Sequence, residues 1–323
     1  LGIEVYLAEF SGMYMEDKGK DQLVYSFPVD DDGKVELPGM KDDAEYDKPF
    51  RINPKNTLVM ARGIGSTVKT GNLSWRVACL NLESQGYTLI NPVICHDICN
   101  DKWYNQIVFQ QKDIRTPNTV LVRHSEGAED AAERLGNKFP MILKTAVGSR
   151  GVGVIWIESL KSLHSIIQLL HREDEYVDVL LQEYIKTDYD VRVIIAAGEI
   201  LGAIKRPVVG DDFRSNVSQG SEPVSHELTE REAQESLRAA ESVHGQVVGV
   251  DFIPAKNRDK ESPYFIEVNS TPGLMGIEAV LSQTQAKPAK TVMKNKGIKS
   301  ITKEILKMYM NRDNWTLDKS SST

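Results

Sequence analysis

The stretch from Val247 to Leu274 constrains the fold of this chain more than any other part of its sequence. Two apolar runs rich in β-branched residues, Val247–Ile253 and Tyr264–Val268, flank a polar loop with a proline near each end. Apolar runs on either side of a polar loop predict a β-hairpin. Three polar side chains interrupt the runs where a buried strand would have apolar ones, namely those of Asp251, Glu267 and Asn269.

These three side chains can share one face of the hairpin. Because side chains alternate between the two faces of a strand, Glu267 and Asn269 point to the same side, and strand pairing can bring Asp251 next to them. Two carboxylates and an amide oxygen are hard ligands of the kind that Mg²⁺ takes beside nucleotide phosphates. The alternative interpretation is that the three residues cap turns or face solvent.

A second pattern, upstream of the hairpin, combines a lysine with a glycine-rich loop. An apolar strand that carries Lys144 leads into a loop with Gly148, Gly151 and Gly153, and a second apolar strand follows. Neither the P-loop nor the dinucleotide-binding turn fits, since both open a helix. A glycine-rich hairpin tip can lay backbone N–H groups over phosphates while Lys144 reaches in from its strand. The alternative is a plain tight hairpin with an exposed lysine.

The remaining chain alternates between predicted strands and helices, which indicates an α/β (α+β) fold. Predicted strands cover residues 3–9, 22–29, 88–92, 119–122 and 177–185, a hairpin covers 191–204, and a buried strand runs into a glycine turn within 57–66. Predicted helices cover 75–84, 126–135, 159–173, 229–244 and 298–310, and another runs from an N-cap at Asn100 or Asp101 to about Gln111. We expect an N-terminal α/β domain over 1–100, a central subdomain with the glycine loop over 101–178, and a C-terminal subdomain with the metal site and a terminal helix over 179–323.

Composition and cysteine use favour a globular cytoplasmic protein. Hydrophobic residues make up 41% of the chain and charged residues 26%, and no apolar run approaches the roughly 18 residues that cross a bilayer. The first residues lack the pattern of a secretory signal, and the absent initiator methionine suggests that residues upstream are missing. Because Cys79, Cys95 and Cys99 form no CxxC pair, we expect reduced structural thiols; a soft-metal site at 95–99 would lack a fourth ligand.

The net charge of −7 is unevenly distributed. Residues 286–323 contain nine Lys or Arg against three Asp or Glu and carry +6, which leaves −13 for the rest of the chain. An acidic body argues against nucleic acid as the main partner. The lysine-rich stretch either forms a solvated loop or attracts an acidic peptide or glutamate chain through Lys287, Lys290, Lys294 and Lys296.

In their order along the chain, these motifs are similar to those of the ATP-grasp superfamily. The sequences GSRGVGV, LLQEYIK, DFRSN, GVDFI and EVNSTPGLMGIE resemble the RimK-like branch of carboxylate–amine ligases, whose namesake adds glutamate to the C-terminus of a ribosomal protein. The resemblance covers roughly residues 100–278, and ARGIGS at 61–66 resembles a turn of the family's preceding domain. It implies an ATP-grasp fold, in which two α/β subdomains hold the nucleotide. The first 50-odd residues and the lysine-rich stretch depart from the family pattern.

The resemblance implies roles for individual residues. The ATP phosphates would be bound by Lys144 and covered by a lid containing Gly148, Ser149, Arg150, Gly151 and Gly153. The adenine site would be lined by Gln182, Glu183 and Tyr184, the last two through backbone groups, and Asp190 matches the ribose contact with Asp188 as a rival. The γ-phosphate would lie near Arg214, Ser215 and Asn216. Two Mg²⁺ ions, or Mn²⁺ in their place, would be held by Asp251, Glu267 and Asn269, with Glu267 bridging them. The carboxylate or the transferred phosphoryl group would be gripped by arginines, for which Arg62, Arg192 and Arg206 are candidates.

The activity implied by the resemblance is that of an ATP-dependent ligase forming carbon–nitrogen bonds. A carboxylate would attack the γ-phosphate to give an acyl phosphate, and an amine would then displace phosphate to leave an amide. We expect glutamate or another acidic amino acid to be added to the C-terminus of a peptide or protein. A free metabolite or amino-group carrier is the alternative substrate, and a nucleotide-binding scaffold without turnover is the alternative class. The pattern identifies no catalytic base and leaves the oligomeric state open, a homo-oligomer included.

Overall fold

The computed structural model describes residues 13–14, 22–24, 50–61, 74–146, 153–173, 178–208, 222–283 and 300–315. The chain divides into two compact units, one formed by Leu1–Val93 with Asn311–Thr323 and the other by Ile94–Met310. Several predicted features lie outside the described residues: the strand at 3–9, Arg62, the lid residues Gly148, Ser149, Arg150 and Gly151, the motif of Arg214, Ser215 and Asn216, and the lysine-rich stretch.

The smaller unit contains two short sheets. Strands β1 (Met13–Tyr14), β2 (Gln22–Val24) and β3 (Phe50–Ile52) form an antiparallel sheet, while β4 (Leu58–Met60) and β5 (Thr88–Ile90) pair in parallel. Helix α1 (Ser74–Ser84) lies between β4 and β5 along the chain. It ends before Gly86, whose φ of +90° favours glycine. The strand predicted at the start of 57–66 is present as β4, but it is only partly buried, with Met60 36% exposed, and the predicted glycine turn lies outside the described residues.

From Val93 onward the described elements alternate between helices and antiparallel strands. The helices are α2 (Val93–Asn100), α3 (Lys102–Gln111), α4 (Ala128–Arg134), α5 (Leu160–Glu173), α6 (Glu230–Ser242), α7 (Met275–Gln283) and α8 (Ile301–Met310). The strands are β6 (Thr119–Val122), β7 (Met141–Thr145), β8 (Val154–Ile157), β9 (Val179–Glu183), β10 (Tyr189–Ala196), β11 (Glu199–Pro207), β12 (Val224–Ser225), β13 (Val247–Ile253) and β14 (Tyr264–Asn269). Helices α2 and α7 were not predicted. Within the described ranges, no helix is both long and apolar enough to span a membrane.

The first sheet of the larger unit has the strand order β6-β9-β7-β8. Strands β7 and β8 are antiparallel, with Lys144 opposite Val154, so the two predicted strands that flank the glycine loop are confirmed. Helix α5 buries Leu163 and Ile167 completely in the core beneath this sheet, as its amphipathic pattern predicts. We expected the central subdomain to end at residue 178. Strand β9 begins at Val179 but pairs with β7, so it belongs to the same sheet as the strands of the predicted central subdomain.

The second sheet has the order β12-β11-β10-β13-β14 and contains the hairpin with the three polar residues. Its other face buries Phe252, Phe265 and Val250 in a core shared with residues of α3 and α6. Helix α6 begins with the predicted capping box: the Thr229 hydroxyl accepts from the N–H of Glu232 at 3.2 Å, and the Glu232 carboxylate accepts from the N–H of Thr229 at 3.0 Å. Packing and capping thus hold the sheet that carries the candidate metal ligands.

Candidate active site

The hairpin register brings the three predicted metal ligands onto one face. Asp251 lies directly opposite Glu267, and Gly249 lies opposite Asn269. The side-chain amide of Asn269 donates to Oε1 of Glu267 at 3.2 Å. The donor set therefore suits Mg²⁺ chemically, since it offers two carboxylates and an amide oxygen on paired strands. Within the described part of the chain, no group of three His, Cys, Asp or Glu side chains could hold a metal ion, so the amide or ligand oxygens must complete the set.

Asp251 is already bound by two arginines. Nε and Nη2 of Arg192 donate to its two carboxylate oxygens at 2.7 and 2.6 Å, and Nη2 of Arg206 donates to Oδ2 at 3.1 Å. Burial opposes ionisation of Asp251, but the two guanidinium groups outweigh this effect and lower its pKa. Asp251 is therefore the shared counter-ion of Arg192 and Arg206, and its role as a metal ligand stays a prediction.

Asp190, the residue matched to a ribose contact, is paired with Arg206. Nε and Nη2 of Arg206 each donate to one of its carboxylate oxygens at 2.6 Å, in the bidentate geometry that favours strong pairs. The carboxylates of Asp190 and Asp251 thus share Arg206, whose side chain is 3% exposed. Asp188 is exposed and offers the less constrained carboxylate. Which of the two contacts the ribose stays a prediction.

Lys144 is held by Gln182 on the neighbouring strand. Its Nζ donates to Oε1 of Gln182 at 2.7 Å, and the amide nitrogen of Gln182 donates to the hydroxyl of Thr119 at 2.8 Å. Burial lowers the pKa of Lys144 to about 8; the charge of Glu267 opposes this shift, and that of Lys102 adds to it. The ammonium group is thus fixed in position and is influenced by the charge of a candidate metal ligand.

Lys102 is a site residue that the sequence reading missed. It opens α3 directly after Asp101, whose carboxylate caps the helix by accepting from the N–H groups of Trp103 and Tyr104. Its N–H donates to the carbonyl of Ala146 at 2.9 Å, which joins the start of α3 to the end of β7. Burial lowers the pKa of Lys102, and the charge of Glu267 acts against that shift. A cation in the first turn of a helix is unfavourable for the helix dipole, and this was the signal available in the sequence.

The predicted adenine-site residues follow one another from the end of β9. Glu183 is tied to the neighbouring strand: its N–H donates to the carbonyl of Asn118 at 2.9 Å, and its carboxylate accepts from the N–H of Asn118 at 2.8 Å. The backbone N–H of Glu183 is therefore engaged within the protein. The ring of Tyr184 meets that of Trp156 edge-on, with centroids 4.8 Å apart. Trp156 lies opposite Ile142, which in turn lies opposite Gln182, so this tryptophan, which was not predicted, belongs to the same face of the sheet.

Gly153 is the one glycine of the predicted loop that lies within the described residues. Its φ of +82° lies in the region that favours glycine, and a Cβ at this position would lie 2.6 Å from Oγ1 of Thr145. Its carbonyl accepts from the N–H of Thr145 at 3.1 Å. The glycine is therefore required to bring the chain this close to β7, next to Lys144.

We expect the affinity for a non-hydrolysable ATP analogue to fall as the pH rises above about 8. Below this pH the ligand-free protein carries a protonated Lys144, whereas above it the lysine must take up a proton before it can pair with phosphate, at a cost of up to about tenfold in affinity per pH unit. Calorimetry between pH 7 and 9.5 checks this. Lys144→Arg should flatten the dependence without removing it, since the lowered pKa of Lys102 acts in the same direction. Equal slopes for both proteins would contradict the assignment.

Comparisons with known proteins identify similar sequences. The model of the RimK-like ATP-grasp domain matches residues 99–291. A probable alpha-L-glutamate ligase of Rhodopirellula baltica is 34% identical over 181 residues, which cover 55% of this chain and 43% of that protein. A probable alpha-L-glutamate ligase 2 of Pseudoalteromonas atlantica is 28% identical over 228 residues, which cover 67% of this chain and 73% of that protein. The chain thus spans less than half the length of the first of these relatives.

Solved structures support the fold. The ATP-grasp ligase PsnB, in complex with precursor peptide PsnA2 and AMPPNP, superposes with a TM-score of 0.51 at 16% identity, and the match covers 80% of this chain and 78% of that one. A D-alanine–D-alanine ligase from Bacillus anthracis complexed with ATP gives a TM-score of 0.50 at 22% identity, covering 62% and 66%. At these identities the likeness shows the fold alone. The predicted ATP-grasp fold, built of helices and antiparallel sheets, is confirmed.

Proposed function

The chain belongs to the RimK-like ATP-grasp family, and on that premise we propose that it is an ATP- and Mg²⁺-dependent ligase that joins a carboxylate to an amine. One observation carries the proposal most directly: Asp251, Glu267 and Asn269 share one face of the hairpin, and the charge of Glu267 acts on Lys144, which Gln182 holds at 2.7 Å, and on Lys102. Two cations beside an oxygen ligand set are suited to the phosphates of a nucleotide and to the metal that accompanies them. A scaffold that binds a nucleotide without turnover would not need both the lysines and the full set of metal ligands.

The proposed reaction has two steps. A carboxylate oxygen attacks the γ-phosphorus of ATP and the bond to the β-phosphate oxygen breaks, which gives an acyl phosphate and ADP. The amine nitrogen then attacks the acyl carbon, inorganic phosphate leaves, and the nitrogen loses a proton. Anions meet in the first step, so fixed positive charge is the main requirement on the protein.

The residues of this chain supply that charge from two sides. Lys144, oriented by Gln182, and Lys102 would hold the phosphates, while Glu267 and Asn269, with Asp251, would hold the metal. Bound Mg²⁺ would neutralise charge on the phosphate oxygens and so favour transfer of the γ-phosphoryl group. We keep two ions, with Mn²⁺ as a substitute, as part of the proposal. A closing glycine lid anchored at Gly153 would exclude water from the acyl phosphate.

The two arginines of the described site would have different roles. Arg206 is 3% exposed and bound by two carboxylates, which suits a positioning residue. Arg192 is 20% exposed and is the better candidate for contact with the substrate carboxylate or the transferred phosphoryl group. Arg214 keeps its proposed role near the γ-phosphate.

We propose glutamate, or another acidic amino acid, as one substrate, and the C-terminus of a peptide or protein as its acceptor. The names of the relatives, probable alpha-L-glutamate ligases, support glutamate, and the family resemblance supports a polypeptide acceptor. A panel of the twenty amino acids, each incubated with Mg²⁺–ATP and a set of acceptor peptides, tests this by mass shift. We expect a mass increase with glutamate and a peptide acceptor, accompanied by release of ADP and phosphate.

The same panel separates the alternatives. A mass shift on small metabolites or amino-group carriers with none on peptides would replace the polypeptide acceptor. Nucleotide binding without ADP release under any combination would favour a scaffold over a ligase.

A further inference from the structure

We propose that Arg192 makes metal binding dependent on the nucleotide. In the ligand-free protein its guanidinium neutralises Asp251 and so keeps this carboxylate from a metal ion until nucleotide phosphates add negative charge. The inference rests on the proposed function, because it takes the face with Asp251, Glu267 and Asn269 as the metal-binding face.

The first step is the occupancy of the Asp251 carboxylate. A carboxylate has about four acceptor sites. Three of those on Asp251 are taken by guanidinium N–H groups, two from Arg192 and one from Arg206. The side chain is 5% exposed, so water cannot readily replace these donors. A cation approaching Asp251 therefore meets two positive charges in a poorly solvated place, where their repulsion is weakly screened.

The second step is the charge balance of the whole face. Within the described residues, the network of Arg192, Arg206, Asp190 and Asp251 contains two cations and two anions and has no net charge. The charge of Glu267, the remaining carboxylate ligand, acts on Lys102 and Lys144 and opposes the lowering of their pKa values by burial. This face therefore has no surplus of negative charge to attract a divalent cation. The phosphates of a nucleotide would supply that surplus and would pair with the two lysines at the same time.

The third step identifies Arg192 as the residue that can yield. Arg206 is 3% exposed and makes a bidentate pair with Asp190 in addition to its contact with the buried Asp251, so moving it would break its hydrogen bonds to both carboxylates. Arg192 is 20% exposed, and among the residues that the structure describes its ion pair is with Asp251 alone. Its guanidinium can turn toward the solvent side of the site while Arg206 keeps Asp251 in place.

The test uses Mn²⁺ as the probe in the absence of nucleotide, with binding followed by the loss of the free-ion electron paramagnetic resonance signal. Arg192→Gln should bind Mn²⁺ at least about tenfold more tightly than the unmodified protein, as expected when one repulsive cation is removed. Arg123→Gln is the matched control, because Arg123 is 65% exposed, pairs with Asp178, and lies on the other sheet; it should leave Mn²⁺ affinity unchanged. Arg192→Lys, which retains the charge without the bidentate fit, should give an intermediate value and serves if Arg192→Gln does not fold.

The inference is overturned if the Arg192 variants bind Mn²⁺ no more tightly than the unmodified protein does. Calorimetry with AMPPNP separates this failure from that of the proposed function. If the unmodified protein binds AMPPNP while Mn²⁺ affinity does not respond to Arg192, only the role of Arg192 is lost. If AMPPNP does not bind with or without Mn²⁺, the proposed function itself fails and this inference fails with it.

Discussion

Glu267→Gln and Lys144→Met are each expected to lower ATP-dependent ligation by roughly 10² to 10³-fold or more while the protein remains folded. Glutamine keeps the size of Glu267 and can still accept from the amide of Asn269, so the change removes the charge alone. Methionine keeps the length of Lys144 and removes the ammonium group that Gln182 orients. Release of ADP and phosphate, measured with Mg²⁺ and the amino acid identified by the panel, gives turnover, and circular dichroism with thermal melting reports folding.

Matched controls come from exposed residues of the same types. Glu261→Gln changes a carboxylate in the loop of the same hairpin, which is half exposed and pairs with Arg115. Lys161→Met changes an exposed lysine on α5. Both should retain full turnover. Unchanged turnover in Glu267→Gln and Lys144→Met together would refute the proposed ligase site.

The hairpin and the lysine strand could be predicted because both depend on short-range periodicity. Alternation along a strand fixes which side chains share a face, so Glu267 and Asn269 could be placed together, and the pairing of two runs joined by one loop added Asp251. The glycines between β7 and β8 were visible in the sequence, and Gly153 has a positive φ that other residues avoid. These features are encoded within short segments of the chain.

The counter-ions of Asp251 could not be predicted in the same way. Arg192 and Arg206 reach Asp251 only because β10 lies between β11 and β13, and strand order of this kind depends on how whole segments pack rather than on local pattern. For the same reason Trp156 was missed: its place beside Tyr184 follows from the pairing of β8 with β7 and of β7 with β9. The sequence thus indicated which chemical groups were available, whereas the sheet order determined which of them neutralise one another.

Arg206→Met is expected to destabilise the protein by on the order of 3–5 kcal/mol in free energy of unfolding, the range for removing one partner of a buried ion pair. The loss arises because Asp251 is 5% exposed and would lose a charged donor that solvent cannot readily replace, while Asp190, which is 15% exposed, would lose its bidentate partner. Urea denaturation followed by circular dichroism measures the change. Arg123→Met, which breaks an exposed pair with Asp178, should stay within about 0.5 kcal/mol of the unmodified protein.

The double variant Asp190→Leu with Arg206→Met distinguishes an unpaired charge from lost packing. Removing Asp190 together with Arg206 leaves Asp251 paired with Arg192 and leaves no carboxylate at position 190, so the double variant should be more stable than Arg206→Met alone. If it is less stable, the main contribution of Arg206 is the packing of its side chain in the sheet. If Arg206→Met and Arg123→Met shift stability equally, the network does not stabilise the fold. In that case Arg206 is no more firmly held than Arg192, and the assignment of Arg192 as the residue that yields to the metal loses its support.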